Sequence, residues 1–338
     1  MQRREFIAGL AAIGASTLVP DLLEAAQPRP ATAVSPFRID VHYHGNSPGF
    51  IAAIKARNTG QMPLMNWTPA KALEDMDRDG VATSVMSTSE PSVYFGDAAA
   101  ARALARECNE YFARLVSDRP ARFGMFATLP LPDVDGALKE IEYAYDTLKA
   151  DGVCFMSSYE GKYLGDPAFA PVMDELNRRK AVAYTHPFRG AMINMLPDGR
   201  NMGITLSTET TVTIQSILYT NTATRCPDIR FIWSHGGGTA PYITGRLGAG
   251  VGPDGKPNAN LAALQKFYYD TAQAFNPYTL ATFTAVVPNS HILFGSDYPF
   301  AQAGTVAKGL AEAGFTAANL RAIERDNALE LFPRLRRT

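Results

Sequence analysis

Four of the five histidines in this 338-residue chain, together with one aspartate, lie at the ends of apolar, strand-like segments. His42 and His44 belong to FRIDVHYHG, His186 ends AVAYTH, His235 ends RFIWSH, and Asp297 follows ILFGS. Imidazole nitrogen and carboxylate oxygen are ligands that Zn²⁺ and similar divalent ions take in proteins. Because histidine is scarce and nearly all of it occupies strand ends, the sequence predicts one metal site in an enzyme.

Four of these residues are predicted to hold the ion. His42 and His44 are two positions apart on a strand, so both imidazoles point to the same face. His186 precedes a proline, which keeps its backbone extended and ends the strand. Asp297 would be costly to bury unless it faced a cation or a hydrogen-bond donor. The alternatives are core histidines and a helix-capping aspartate; we favour the ligand assignment for all four.

His235 is predicted to be a catalytic acid or base rather than a ligand. Three glycines follow it and allow the backbone to approach a ligand closely. His42, His44, His186 and Asp297 already fill the protein side of a site that must leave one position open for water or substrate. The fifth histidine, His291, begins the last strand-like segment and is predicted to be structural.

The elements that would position these residues alternate between short apolar strands and longer amphipathic helices. Eight strands in an α/β chain of this length predict a (β/α)₈ TIM barrel, in which catalytic side chains gather at the carboxyl ends of the strands. A doubly wound open sheet is the alternative, but it would separate the first strand from the eighth. The predicted strands are 37–43, 81–87, 122–129, 152–158, 181–186, 230–235, 266–271 and 291–296.

Helix signals and long loops complete the predicted architecture. Thr68 and Pro69 predict the start of a helix that ends at Gly80, and three further helical patterns cover 97–118, 133–152 and 169–181. The segments Asn46–Trp67 and Phe188–Ser207 are long enough to form a lid or pocket wall. Surface loops that pack on themselves are an equally good interpretation of both.

Residues 1–33 resemble a twin-arginine export signal. Arg3, Arg4 and Phe6 are in register with an apolar segment, and the small residues of Ala31–Ala33 suit a cleavage site. The apolar segment is too short for a permanent membrane anchor, which needs roughly 20 residues. This interpretation predicts a periplasmic mature protein with one catalytic domain over 34–338. A buried amphipathic helix is the alternative, and the protein would be cytoplasmic if the signal is not functional.

Composition excludes several classes of partner and cross-link. Apolar residues make up 46% of the chain and the formal net charge is −1, so nothing suggests nucleic acid or an anionic membrane surface as a partner. Three scattered cysteines argue against a disulfide framework, and the interpretation is that they are small buried side chains. They are Cys108, Cys154 and Cys226.

The motifs DxHxH, THP, SHGGG and GSDYPF, in this order, resemble the amidohydrolase superfamily in its aminocarboxymuconate semialdehyde decarboxylase-like branch. The resemblance covers the chain after the first 33 residues. Within the branch the chain is most similar to the 6-methylsalicylate decarboxylases, through CNEYFARL, RFGMFATLP, LKADGVCF, YLGDPAFAPVMDELNRRKAV and PDIRFIWSHGGGTAPYITGRL.

The resemblance implies a mononuclear site, because GVCFMSS on the fourth strand lacks the lysine that binuclear members carry. It implies that His42, His44, His186 and Asp297 bind one divalent ion, Zn²⁺ with Mn²⁺ as the alternative. It implies that His235 is the catalytic histidine, that Arg246 reaches a substrate carboxylate, in some members across a dimer interface, and that the protein is a homodimer. A surface arginine is the alternative reading of Arg246.

The activity that follows is non-oxidative decarboxylation of a hydroxylated aromatic acid, with His235 or Asp297 protonating the carbon that bears the carboxylate. The alternative is a metal-dependent hydrolase of a lactone, ester or amide, with Asp297 as base and His235 steadying the oxyanion. A non-catalytic binding protein is disfavoured because all five site residues are present. Six aromatic residues are candidates for the apolar walls that an aromatic substrate needs, and core packing is an equally good interpretation of each: Phe50, Trp67, Tyr94, Phe95, Phe188 and Tyr298.

Overall fold

The structure is a computed structural model that describes residues 37–189, 196 and 202–337. The predicted export signal at 1–33 lies outside the described residues. Eight parallel strands form one sheet in the order in which they occur along the chain, as the alternation of strands and helices predicts. The strands are β1 (Arg38–His44), β2 (Val81–Ser87), β3 (Phe123–Thr128), β4 (Gly152–Met156), β5 (Val182–His186), β6 (Arg230–Trp233), β7 (Tyr268–Asp270) and β8 (Ile292–Leu293).

Backbone hydrogen bonds between β1 and the segment that follows β8 bring the two edges of the sheet together. The result is a near-closed barrel consistent with the predicted (β/α)₈ fold and not with an open doubly wound sheet. The bonds that form this seam are Val41 N–H to Phe294 C=O (3.0 Å), Asp297 N–H to His42 C=O (2.9 Å) and His44 N–H to Tyr298 C=O (2.8 Å).

Asp40 strengthens the seam from within the barrel. Its fully buried Oδ1 accepts hydrogen bonds from the backbone N–H groups of His42 and Ser296, each at 3.0 Å. The Asp40 carboxylate thus holds the backbone of β1 against the segment that leads to Asp297. Burial raises the pKa of Asp40 to about 7 against the effect of these bonds.

Helices follow most of the strands. The predicted helix after Thr68 runs over Pro69–Asp79, with the Thr68 hydroxyl accepting from Lys71 N–H and Gly80 ending it in the left-handed conformation (φ 70°). The helices are α1 (Pro48–Ala56), α2 (Met62–Met65), α3 (Pro69–Asp79), α4 (Ala98–Asp118), α5 (Val134–Asp146), α6 (Ala170–Arg178), α7 (Met202–Tyr219), α8 (Thr222–Arg225), α9 (Ala259–Lys266), α10 (Pro277–Val286), α11 (Ala303–Glu312), α12 (Ala317–Arg321) and α13 (Asn327–Leu331).

The two long segments predicted as loops are partly helical. Asn46–Trp67 contains α1 and α2, and α7 begins at Met202, inside the segment predicted as loop over Phe188–Ser207. Most of that second segment, residues 190–195 and 197–201, lies outside the described residues. Within the described part of the chain, every helix is too short or too polar to cross a bilayer.

Aromatic side chains fill the barrel beneath the carboxyl ends of the strands. Tyr184 on β5 is fully buried, stacks on Phe126 of β3 with ring centroids 5.2 Å apart, and meets His42 edge-on at 5.4 Å. This layer closes the barrel below the histidines. The three cysteines are free and buried, as predicted.

Candidate metal centre and active site

The four predicted ligands converge at the carboxyl end of the barrel. His42 and His44 come from β1, His186 ends β5, and Asp297 follows β8. Their ligand atoms all lie within 4.8 Å of one another. Asp297 Oδ1 is 3.1 Å from His42 Nε2 and 3.3 Å from His44 Nε2. A (β/α)₈ arrangement therefore joins residues that are far apart in sequence.

The second ring nitrogen of each histidine is held by an oxygen, which directs the Nε2 atoms toward the centre of the group. Such partners fix the tautomer and the ring orientation of metal-binding histidines. The three contacts are His42 Nδ1 to Asp270 Oδ2 (2.8 Å), His44 Nδ1 to Ser87 Oγ (3.2 Å) and His186 Nδ1 to Pro187 C=O (2.9 Å).

Two observations indicate that the group of four predicted ligands suits a divalent cation. His42 Nε2, His44 Nε2 and Asp297 Oδ1 are buried and have no hydrogen-bond partner among the described residues. Buried polar atoms left unpaired are costly unless an ion or water satisfies them. The separations of 3.1 and 3.3 Å match the roughly 3.3 Å expected between atoms bonded at about 2.0–2.1 Å around a tetrahedral ion.

Charge is distributed unevenly within the group. Burial lowers the pKa of both His44 and His186, which keeps their nitrogen lone pairs free. Burial also acts to lower the pKa of His42, but Asp270 and Asp297 on either side raise it to about 10. Burial acts to raise the pKa of Asp297, but the charge on His42 and the hydrogen bond from His235 hold it well below its usual range. Three imidazoles thus surround one ionised carboxylate.

His235 lies beside this group and is not one of its four members. Its Nε2 is 3.4 Å from Asp297 Oδ2, and its ring centroid is 4.8 Å from that of His42. Its backbone is left-handed (φ 53°), as is that of Asp297 (φ 72°). Positive φ is uncommon outside glycine and concentrates at functional sites. The geometry thus places the His235 imidazole next to the ligands without making it a member of the group.

Asp270 at the end of β7 is a functional residue that sequence reasoning missed. It is fully buried, and besides holding His42 Nδ1 it accepts the backbone N–H of His235 at 2.9 Å. One carboxylate therefore orients a ligand and the proposed acid together. The available signal was a carboxylate that ends an apolar strand, as Asp297 does after the next strand.

Exchanging Asp270 for asparagine is expected to weaken metal binding by about 10- to 100-fold, because the amide carries no charge to hold the His42 tautomer. Competition with a chromophoric chelator measures the affinity. Asp228→Asn, at an exposed position, is the matched control and should bind as the unmodified protein does. Equal affinity in the Asp270 variant would show that this contact does not orient the ligand.

A cavity of about 360 Å³ opens onto the group. Its apolar wall is formed by Met202, Leu206 and Phe300. The remaining lining residues are polar or small: Gln61, Ser89, Glu90, His186, Gly203, Ser207, His235, Gln273 and Asp297.

The six aromatic residues considered as walls are not among those that line this cavity. Phe300 was missed, although it follows Asp297 in the same motif. Tyr298 points away from the cavity, stacked on Tyr43 with centroids 4.4 Å apart and donating to Asp75 at 2.7 Å. The left-handed turn at Asp297 directs Phe300 rather than Tyr298 toward the cavity. The alternation of side chains along an extended strand does not predict this orientation.

Arg246 and His291 lie outside the cavity. Arg246 is exposed on a short 3₁₀ turn, Thr244–Leu247, and does not line the cavity of its own chain. Its predicted contact with a substrate carboxylate remains a prediction. His291 precedes β8 at the other end of the barrel, 4.5 Å from the ring of Tyr268.

Comparison with known proteins places the fold and the site in context. The model of the family described as Amidohydrolase matches residues 39–334. The 6-methylsalicylic acid decarboxylase acuB of Aspergillus aculeatus is 37% identical, covering 89% of this chain and 97% of its own. The decarboxylase yanB of Aspergillus niger is 36% identical, covering 88% of each chain. A crystal structure of an amidohydrolase II superposes with a TM-score of 0.79 at 26% identity, covering 88% of this chain and 99% of that one.

Proposed function

The chain belongs to the amidohydrolase family, and from that premise we propose that it is a metal-dependent, non-oxidative decarboxylase of a hydroxylated aromatic acid of the 6-methylsalicylate type. The observation that carries the proposal is the grouping of three histidines with Asp297 on the wall of a cavity that has an apolar side. The decarboxylase relatives match along most of the chain, which supports the same activity.

The donor set favours Zn²⁺, with Mn²⁺ as the alternative. Three imidazole nitrogens and one carboxylate oxygen suit zinc, whereas manganese prefers more oxygen ligands. His42, His44, His186 and Asp297 would hold the ion. When bound, it would polarise the oxygens of the substrate and stabilise the negative charge that develops on them.

His235 supplies the proton in this proposal. Its Nε2 lies 3.4 Å from Asp297 Oδ2, so Asp297 orients the imidazole ring. The proton passes to the ring carbon that bears the carboxylate, the bond from that carbon to the carboxylate carbon breaks, and its electron pair returns to the ring. CO₂ leaves and the ring regains its aromaticity, so the proton taken up replaces the carboxylate.

The cavity has the walls that an aromatic acid requires. Phe300, Met202 and Leu206 offer apolar surface to the ring, while the polar lining includes the ligands His186 and Asp297 together with His235. The volume of about 360 Å³ is within the range of small-molecule sites, which is roughly 300–1,000 Å³. A single-ring substrate suits this size.

The proposal also includes the expectations on export and assembly. The arginine pair and apolar segment of residues 1–33 support a periplasmic protein. The exposed position of Arg246 supports a homodimer in which this side chain serves the neighbouring site. The proposal of export rests on the sequence pattern, and the proposal of a homodimer rests on the exposure of Arg246.

Product analysis tests the activity directly. The zinc-loaded protein is expected to convert at least one 2-hydroxybenzoate, with 6-methylsalicylate in the panel, into CO₂ and the matching phenol in equal amounts. In deuterated water the phenol should gain one deuterium, at the carbon that bore the carboxylate. No turnover by metal-loaded protein would contradict the proposal and leave hydrolysis of lactones, esters or amides as the next activity to assay.

A further inference from the structure

A buried carboxylate that the decarboxylation does not use lines the cavity. Glu90 follows β2 at the carboxyl end of the barrel and is 5% exposed. It shares the cavity with His186, His235 and Asp297. An ionised group in such surroundings is costly unless it is paired.

Arg189 pairs with Glu90 through both its backbone and its side chain. Glu90 Oε2 accepts the Arg189 backbone N–H at 2.8 Å, and the Arg189 guanidinium forms an ion pair with Oε1. Gln61 adds a longer contact from its amide Nε2 to Oε1 at 3.4 Å. Arg189 and Gln61 belong to different segments of the chain, so contacts from both hold Glu90 in one position.

Of the two charges in the Glu90–Arg189 pair, the negative charge of Glu90 is the one that faces the cavity. Glu90 is among the lining residues, whereas Arg189 is not. The arginine therefore compensates the carboxylate from behind and leaves its cavity side to the substrate. A carboxylate also offers about four lone-pair positions, more than its protein partners use, so a neutral hydroxyl can still donate to it.

We propose that Glu90 is a specificity-determining residue that restricts the substrate to aromatic acids with a single carboxylate. The inference rests on the proposed function, in which the reacting carboxylate occupies the ligand end of the cavity. A second carboxylate on the ring would share this cavity of about 360 Å³ with Glu90. Repulsion between like charges at roughly 5–9 Å, in surroundings of effective dielectric constant near 20, lowers affinity by about 20- to 300-fold.

Two variants are expected to act in opposite directions. Glu90→Gln removes the negative charge and should strengthen binding of dicarboxylates by about 20-fold or more, and binding of monocarboxylates by a much smaller factor. Arg189→Met leaves Glu90 uncompensated and should weaken binding of monocarboxylates by about tenfold. A wall that had merely loosened would weaken both classes of ligand in both variants.

The test is calorimetric titration of the zinc-loaded protein with benzoate and with isophthalate, which lack the ortho hydroxyl and so report binding without turnover. The expected result is a benzoate-to-isophthalate affinity ratio that collapses in Glu90→Gln and is preserved in Glu312→Gln, a matched change at an exposed position. Thermal unfolding of each variant monitors the fold.

An unchanged ratio in Glu90→Gln, or shifts of the same sign in both variants, would overturn the inference. Because binding is measured without turnover, that outcome differs from failure of the proposed function, which would appear as absence of CO₂ release from the 2-hydroxybenzoates.

Discussion

Replacement of His235 with asparagine is expected to lower kcat by about 10³-fold while the protein remains folded and binds its metal ion with unchanged affinity. A positioned proton donor contributes roughly 10²- to 10⁴-fold to a rate. Among the described residues, Asp297 Oδ2 is the only ligand atom within hydrogen-bond distance of the His235 side chain, and Asp297 directs its other oxygen toward His42 and His44. The proton donor and the ion are therefore separable. Steady-state kinetics and metal analysis of the same preparation measure the two effects.

His291→Asn is the matched control, because this histidine lies at the opposite end of the barrel against Tyr268. It should keep both its rate and its metal. If the His235 variant retained its rate, another group would have to be the proton donor. A variant that loses its metal would make His235 a fifth ligand and contradict its placement beside the group.

Asp297→Asn is expected to abolish activity and to release the ion during dialysis. Asp297 Oδ1 lies within 3.3 Å of two imidazole Nε2 atoms, so its negative charge is the central anion of the group. The loss of metal affinity should exceed the roughly 10- to 100-fold expected for Asp270→Asn, because a ligand is removed and not only its support. Metal content after dialysis, measured by plasma mass spectrometry, provides the comparison.

Chelation of the unmodified protein gives the parallel experiment. Activity should disappear on exhaustive treatment with chelator and return on addition of Zn²⁺ or Mn²⁺, whereas the Asp297 variant should not recover at ordinary metal concentrations. A chelated protein that still turns over substrate would contradict the metal-dependent mechanism altogether.

The sequence predicted the metal group because its geometry follows from topology. The carboxyl ends of parallel strands in a barrel meet at one mouth, so strand-end histidines on β1 and β5 are brought together whatever the details of packing. Spacing in the DVHYH motif was enough to place His42 and His44 on the same face. The four residues lie together as predicted.

The supporting carboxylates could not be predicted in the same way. Asp270 and Glu90 have meaning only through their partners, the Nδ1 of His42 and the guanidinium of Arg189. Glu90 has no local signal that distinguishes it from a carboxylate facing solvent, and the only signal for Asp270 is its place at the end of an apolar strand. The wall residue Phe300 was missed because the left-handed turn at Asp297 is a backbone property that residue types do not specify.

The seam between β1 and β8 has a further consequence for the stability of the molecule. His42 and His44 lie on one side of the seam and Asp297 lies on the other. One ion bound to all three would therefore link the two edges of the sheet. Because the unfolded chain offers no such site, bound ion adds to the free energy of unfolding in proportion to the logarithm of its free concentration. The concentration of free metal ion would thus set the equilibrium stability of the barrel as well as the fraction of active protein.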